Sequence, residues 1–243
     1  MSKLSNPKYI WDRHVLSFVV LSLLLLTAAS AYAVKVFKIS NYGGGRQIWF
    51  EAEAYDERNP DNDQYYKVVD KDGAFGKTIT RTGVVGGMIR WTFDISAAGG
   101  KGGTWYFWGR TTNPNNQSDY LLVLGDPGDK KIPEGPPFPG GDAVEPFDNG
   151  DDRIFEQSIP NWAWWGKSEG STKDLQNGEN TMYIFHRQGD STVFWDVFMW
   201  ADNTTYVPFD KDYTDAREMK AGQKPVNPAL KLATSWGMIK GEY

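Results

Sequence analysis

Glu51 and Glu53 stand two residues apart in a stretch, Gln47 to Ala54, that alternates as a strand. A strand sends residues i and i+2 to one face, so both carboxylates point the same way. Side by side they repel unless a cation or a basic side chain lies between them. Calcium takes oxygen ligands at close range and suits two carboxylates supplemented by backbone carbonyls. The alternative is a solvent-facing acidic edge, with Glu53 paired to Arg46 or Arg110.

A second cluster is aromatic. Trp162, Trp164 and Trp165 follow Pro160-Asn161, on what reads as a loop. Aromatic faces stack on the flat C–H faces of sugar rings and give large apolar contact at small entropic cost. Alternation predicts that Trp162 and Trp164 share a side and that Trp165 faces the opposite way. Core packing accounts for one or two of the three, and at least one is expected at the surface. The chain has 11 tryptophans, of which only Trp11 lies near the N-terminus, more than the core needs. Asn113, Asn115, Asn116 and Gln117 form a polar loop that could meet hydroxyls. Those residue types also serve ordinary turn chemistry.

A catalytic reading finds little support. The histidines are His14, near the N-terminus, and His186, in an alternating segment where a neutral core or surface histidine is the default. No nucleophile elbow, zinc spacing or phosphate loop is present. A glycosidase needs two carboxylates flanking the scissile bond. Glu51 and Glu53 are the pair that stands out, and a bound cation explains them better.

The elements that must position these residues read as antiparallel strands. Period-two segments are separated by Gly, Pro and Asn clusters. Gln47 to Ala54, Met88 to Ile95, Thr104 to Thr111, Tyr120 to Leu124, Ile154 to Ser158, Thr181 to Arg187 and Thr192 to Trp200 are the expected strands. Asp126 to Asp152 breaks the rhythm with Pro127, Pro133, Pro136, Pro137, Pro139 and Pro146, which neither a helix nor a central strand survives. Lys211 to Gly222 reads as a short helix or a linker, and Asn227 to Tyr243 as a tail.

Residues 1–33 read as a cleaved secretory signal peptide: a basic start, an apolar run from Val15 to Ala29, then Ala31-Tyr32-Ala33. The run is shorter than the roughly 18–20 residues that span a bilayer. The expectation is therefore a secreted or extracytoplasmic protein. The net charge of −5, with no clustered Lys/Arg stripe, argues against a nucleic-acid partner. There is no cysteine to form a disulfide, so the fold rests on its core or on a metal.

The order of motifs resembles carbohydrate-binding modules of families 6 and 35. Glu51-Ala52-Glu53 resembles their opening Glu-Ala-Glu, and Gly86 to Ile95 their next block, a Gly followed by an alternating strand. Ala98-Gly99 and Gly103 to Arg110 resemble Ala-Gly-Thr-Tyr running into a strand that ends at Arg. Trp162-Ala163-Trp164 resembles Trp-x-Trp, and Leu175 with Asn177 to Thr181 resembles Leu-x-x-Gly-Glu-His-Thr. Arg187-Gln188-Gly189 with Trp195-Asp196, then Asp202, Tyr206, Val207 and Pro208, resemble the closing blocks.

The resemblance implies an all-β, galactose-binding-like jelly-roll β-sandwich over residues 34–208, followed by a linker and tail at 209–243. It implies a ligand site at a loop rim or on a concave sheet face, for a polysaccharide or glycan. It implies a structural calcium held by Glu51, Glu53 and Asp196, a second aromatic at Phe75, and a sugar-bonding amide at Asn203. A structural or adhesive surface protein is the rival, with the aromatic patch as an interface and the tail docking to a cell surface or protein partner.

Overall fold

The computed structural model describes Val34, residues 36–124 and residues 152–220, and among these described residues there are fourteen strands. The expected signal peptide, nearly all of the Pro-rich segment and the tail from Asn227 lie outside the described residues. The strands are β1 (Val36–Ser40), β2 (Gln47–Glu51), β3 (Glu57–Asn59), β4 (Tyr66–Val69), β5 (Thr78–Arg81), β6 (Met88–Asp94) and β7 (Gly103–Asn113). They continue with β8 (Asp119–Leu124), β9 (Arg153–Ile154), β10 (Ile159–Gly166), β11 (Thr172–Leu175), β12 (Glu179–Phe185), β13 (Phe194–Ala201) and β14 (Arg217–Lys220). One α-helix, α1 (Asp210–Asp215), lies between β13 and β14.

The strands form two antiparallel sheets. The larger runs β10-β7-β13-β2-β1-β14, with β11 also on β7 and β4-β5 attached to β13; the smaller runs β3-β6-β12-β8-β9. Period-two alternation aims one set of side chains from each sheet between them. Ile48, Phe50, Phe107, Phe198 and Trp200 from the larger sheet meet Ile89, Trp91, Phe93, Leu121, Met182 and Ile184 from the smaller. A buried ion pair crosses the sandwich, Arg81 on β5 to Asp119 on β8, with Nη1 to Oδ1 at 2.7 Å.

The larger sheet is apolar on its other face too. Trp49, Trp108, Val197, Met199 and Ala201 point away from the sandwich core and pack with Tyr206, Tyr213 and Ala216. These last three belong to the segment after β13. It crosses the face as α1 and then pairs as β14 with β1, Val36 opposite Lys220 and Ile39 opposite Arg217. The sandwich therefore runs to Lys220, and the segment from 209 to 220 is part of the fold rather than a linker. The driving force is the burial of Tyr213 and Met219, each worth about 1.5–3 kcal/mol when fully removed from water.

Other strand ends shift for local reasons. The expected strand Ile154 to Ser158 stops at Ile154, because Phe155 takes a left-handed backbone (φ 65°). The aromatic run expected on a loop is the strand β10, paired with β7 so that Ala163 faces Thr111, Trp164 faces Arg110 and Trp165 faces Gly109. Between Ile159 and Ala163 the register shifts, which absorbs Pro160 at an edge strand, where a missing backbone donor is tolerated.

Candidate functional site

Asp196 lies at a break in the ladder. Trp195 of β13 faces Thr111, and the next paired residue, Val197, faces Arg110, so Asp196 is the extra residue of a β-bulge. A bulge re-aims a side chain. Here it presents the Asp196 carboxylate to Arg110 of β7 and to the Phe75 amide. The backbone carbonyl of Asp196 accepts from Ala52 N at 2.8 Å, which fixes the end of β2 next to the bulge.

β2 ends at Glu51, short of the expected Ala54, and Glu53 lies in the turn beyond it, yet the two carboxylates converge on Gly76. Between them sits Gly76, whose missing Cβ makes the room: one built there would lie 2.9 Å from Glu53 Oε1 and 3.3 Å from Glu51 Oε2. Lys77 N donates to Glu53 Oε1 at 2.9 Å. Tyr213 OH, reaching over from α1, donates to Glu51 Oε1. The remaining oxygens, Glu51 Oε2 and Glu53 Oε2, are buried with no partner. Neither arginine pairs with Glu53: Arg46 joins Asp202 at 3.0 Å, and Arg110 joins Asp196 and Asp210.

The electrostatics follow from this crowding. Burial pushes the Glu51 carboxyl up to about 7, against the Tyr213 hydrogen bond, with the charges of Glu53 and Asp196 adding to the rise. Glu53 and Asp196 are raised as well, first by burial. A carboxyl whose folded pKa exceeds its ordinary value binds its proton more tightly when folded. Its contribution to stability is complete below about pH 4.5 and is lost as pH rises to about 7. Without added cation, the Glu51→Gln variant should therefore lose less stability than the parent over that interval. Urea midpoints at the two ends of the interval check this. A parallel fall in both proteins refutes the assignment to Glu51.

The expected three-carboxylate calcium cage is not assembled. Among the described residues no three His, Cys, Asp or Glu side chains converge closely enough to hold one ion. The bulge hands Asp196 to another cation. Its carboxylate accepts from Arg110 Nη1 and from Phe75 N, at 3.1 Å to Oδ1. What fits a hard cation is the glutamate pair, with its two unpartnered oxygens at the floor of a pocket of about 510 Å³ lined by Lys38, Trp49, Phe75 and Tyr213.

Arg110 ties this floor to the aromatic residues. Its Nε and Nη2 reach Asp210 Oδ1 and Oδ2, both at 2.9 Å, and Nη1 also donates to Gly73 O at 3.0 Å. The guanidinium lies 4.3 Å from the Phe75 ring and 4.9 Å from the Trp162 ring. Trp162 lies over Gly73, where a Cβ would come within 2.9 Å of its Cδ1, and its indole N–H donates to Asp72 O at 2.8 Å. Trp164 is edge-on to Trp49, centroids 5.5 Å apart, and donates to Asp210 Oδ1 at 2.9 Å.

Of the expected ligand residues, Trp162, Trp164 and Phe75 come together, each partly exposed. Trp165 does not join them. Alternation turns it inward against Phe155, centroids 5.2 Å apart, and leaves it 4% exposed, so it is core. Asn203 lies past the far end of β13, seven residues from Asp196, or on the order of 20 Å at strand rise. Its side chain is used locally, donating to Gly43 O at 2.6 Å and accepting from Thr205 N at 2.8 Å. In the Asn113–Gln117 loop Asn113 Nδ2 donates to Gln117 O and Phe155 O, both at 2.6 Å, and Asn115 Nδ2 donates to Asp190 Oδ2 at 2.9 Å. His186 is buried and neutral; burial pushes its pKa down to about 3.

Sequence reasoning missed Arg110 as the hub, together with Tyr213, Asp210 and Phe209. The last three sit at or beside the segment expected to be a short helix or a linker, where the helix is present. Phe209 is 66% exposed and immediately precedes the Asp210 that Trp164 and Arg110 hold. The signal available was the pair of acids, Asp210 and Asp212, in one turn beside Tyr213, the pattern of a helix start.

No protein-family model matches the sequence, and no curated protein does. Solved structures do. A family 35 carbohydrate-binding module from Clostridium thermocellum is 14% identical, with a TM-score of 0.43 over 63% of this chain and 96% of that one. The C-terminal family 6 module of LamC, a marine laminarinase from Zobellia galactanivorans, is 11% identical, with a TM-score of 0.40 over 64% of this chain and 99% of that one. The chain is similar to carbohydrate-binding modules of the family 6 and 35 type. An insecticidal crystal protein, Cry2Aa, is matched as well, at 11% identity and a TM-score of 0.40 over 63% of this chain and 21% of that one. The likeness is one of fold, and no residue role is taken from it. Among the described residues, no helix is long and apolar enough to cross a membrane.

Proposed function

We propose that the chain is an exported, non-catalytic carbohydrate-binding module whose platform is Trp162 and Trp164. The observation that carries this is how the two indoles are held. Each N–H is already satisfied inside the protein, one by Asp72 O and one by Asp210 Oδ1. What remains for a ligand is partly exposed ring face in a fixed orientation. A rigid aromatic face loses little entropy on binding, which suits a sugar ring. The non-catalytic reading extends only to histidine chemistry: His186 is buried and its pKa is pushed down by burial, so it is poorly placed as a general acid or base.

A glycan array tests the reading, followed by titration of the best-binding polysaccharide. Trp162→Ala is expected to weaken binding by about 1–3 kcal/mol, the range for an interface anchor, with little change in the thermal midpoint. Saturable binding that ignores both Trp162→Ala and Trp164→Ala sinks the platform. Phe209, with Val207 at 39% exposure, favours a second reading as a protein-contact surface. If no glycan binds the parent, that reading takes the lead.

We further propose a structural calcium between Glu51 and Glu53. When bound, it would neutralise the pair and satisfy the two unpartnered oxygens. Binding to the folded state alone adds stability in proportion to RT ln(1 + [L]/Kd). Chelation is therefore expected to lower the thermal midpoint of the parent and to leave Glu53→Gln unmoved. An unchanged midpoint in chelator for the parent removes calcium from the account.

A further inference from the structure

We infer that Arg110 is a positioning residue for the glycan platform, a role that rests on the carbohydrate reading. The guanidinium is 5% exposed at its side chain and gives its donors to the protein. It joins the bulge carboxylate of Asp196, the Gly73 carbonyl of the loop that carries Phe75, and the Asp210 carboxylate at the start of α1. Its central carbon lies over both the Phe75 and the Trp162 ring. Four separate pieces of chain are thereby set against one planar group: β13, the loop at residues 73–76, β10 and the segment after Pro208. Trp164 is held at second hand, because the carboxylate that its indole N–H reaches is the one that Arg110 clamps.

The chemistry is specific to arginine. A planar fork can take a carboxylate through two parallel bonds while both faces stay open to aromatic rings. A lysine ammonium can neutralise Asp196 but cannot also grip Asp210 through two parallel bonds or offer a planar group to the Phe75 and Trp162 rings. Arg110 does not touch ligand in this scheme. It sets the distance and tilt between Trp162 and Trp164, so its loss is felt by whatever spans both rings.

The test is a double-mutant cycle, with the polysaccharide that the parent binds best in the array as the probe. Arg110→Lys is expected to bind it at least tenfold more weakly, and to weaken the near-ultraviolet circular dichroism of the tryptophans. The double variant Arg110→Lys with Trp162→Ala is expected to bind no more weakly than Trp162→Ala alone, because residues that act through one another are not additive. If Arg110→Lys does not fold, Asp210→Asn takes its place in the cycle, since it weakens the fork but leaves Asp196 paired. Parent-like binding by the Arg110 or Asp210 variant, or strictly additive losses, overturns the inference while the platform stands. A parent that binds no polysaccharide overturns the carbohydrate reading, and this inference with it.

Discussion

Trp165→Ala is expected to destabilise the domain by about 3–5 kcal/mol, the cost of emptying a large aromatic site in a packed core. Its neighbour Trp162→Ala should cost a small fraction of that. The two differ by three residues in sequence and by which face of β10 they take. Trp165 is set between the sheets against Phe155, which in turn stacks on Trp195 with centroids 5.8 Å apart. Removing it leaves a void bounded by rings that cannot collapse without abandoning Phe107 and Phe198. Trp162 has solvent on part of its surface, so truncation there mostly exchanges ring for water. Urea unfolding of both variants reads the difference directly. If the two midpoints fall equally, Trp162 is core and the platform has been misplaced.

Asp119→Ala should be comparably severe, on the order of 3–5 kcal/mol, because it leaves a buried guanidinium uncompensated. Both partners have side chains at 0% exposure, and Arg81 Nε and Nη2 have no hydrogen-bond partner even in the intact protein. Asp119 also accepts from Arg187 N at 3.3 Å, so its loss loosens the end of β12 as well. Against a typical domain stability of about 5–15 kcal/mol, this change alone brings a marginal fold near its threshold. The pair Arg81→Met with Asp119→Leu should recover much of the loss, since neither charge is then stranded. A single variant as stable as the parent would mean that the side chain left behind finds water.

The contrast between Trp162 and Trp165 was legible before any coordinates, because it needs only the period of a strand. The strand itself was not. Pro160 and Asn161 are turn residues by local preference, and they enter the edge strand only as an irregularity between Ile159 and Ala163, which pair with β7. The nearness of Glu51 and Glu53 was legible too, but the turn that carries Glu53 was not, because alternation runs the strand on to Ala54. Asp196 was readable as a neighbour of that pair but not as a partner of Arg110. The bulge that turns it toward β7 depends on a register between strands more than eighty residues apart, and local pattern carries no register. Asn203 failed for a metric reason: seven residues of extended chain separate it from the bulge. In the segment after Pro208 the short helix was one of the two readings and is present, but its burial was not legible because its charges look solvated. Tyr213 and Met219 bury among them only because the outer face of the larger sheet is apolar.

That two-sided burial has a consequence for how the chain folds. β13, Phe-Trp-Asp-Val-Phe-Met-Trp-Ala, has buried residues on both faces, with only Phe194 partly exposed. A strand with one polar face resists slippage, because a one-residue shift puts its apolar set into water. β13 lacks that safeguard, since Trp195, Phe198 and Trp200 on one side and Val197, Met199 and Ala201 on the other are both oily. Asp196 is its only charged residue, and the bond to Arg110 is made in one register alone. The same stretch combines high strand propensity with little charge and no proline, the pattern of an aggregation-prone window. Until β2 and β7 flank it and the segment from Tyr206 to Lys220 covers it, β13 is the sticky element of this protein, so slow folding or loss of that cover should show first as self-association through β13.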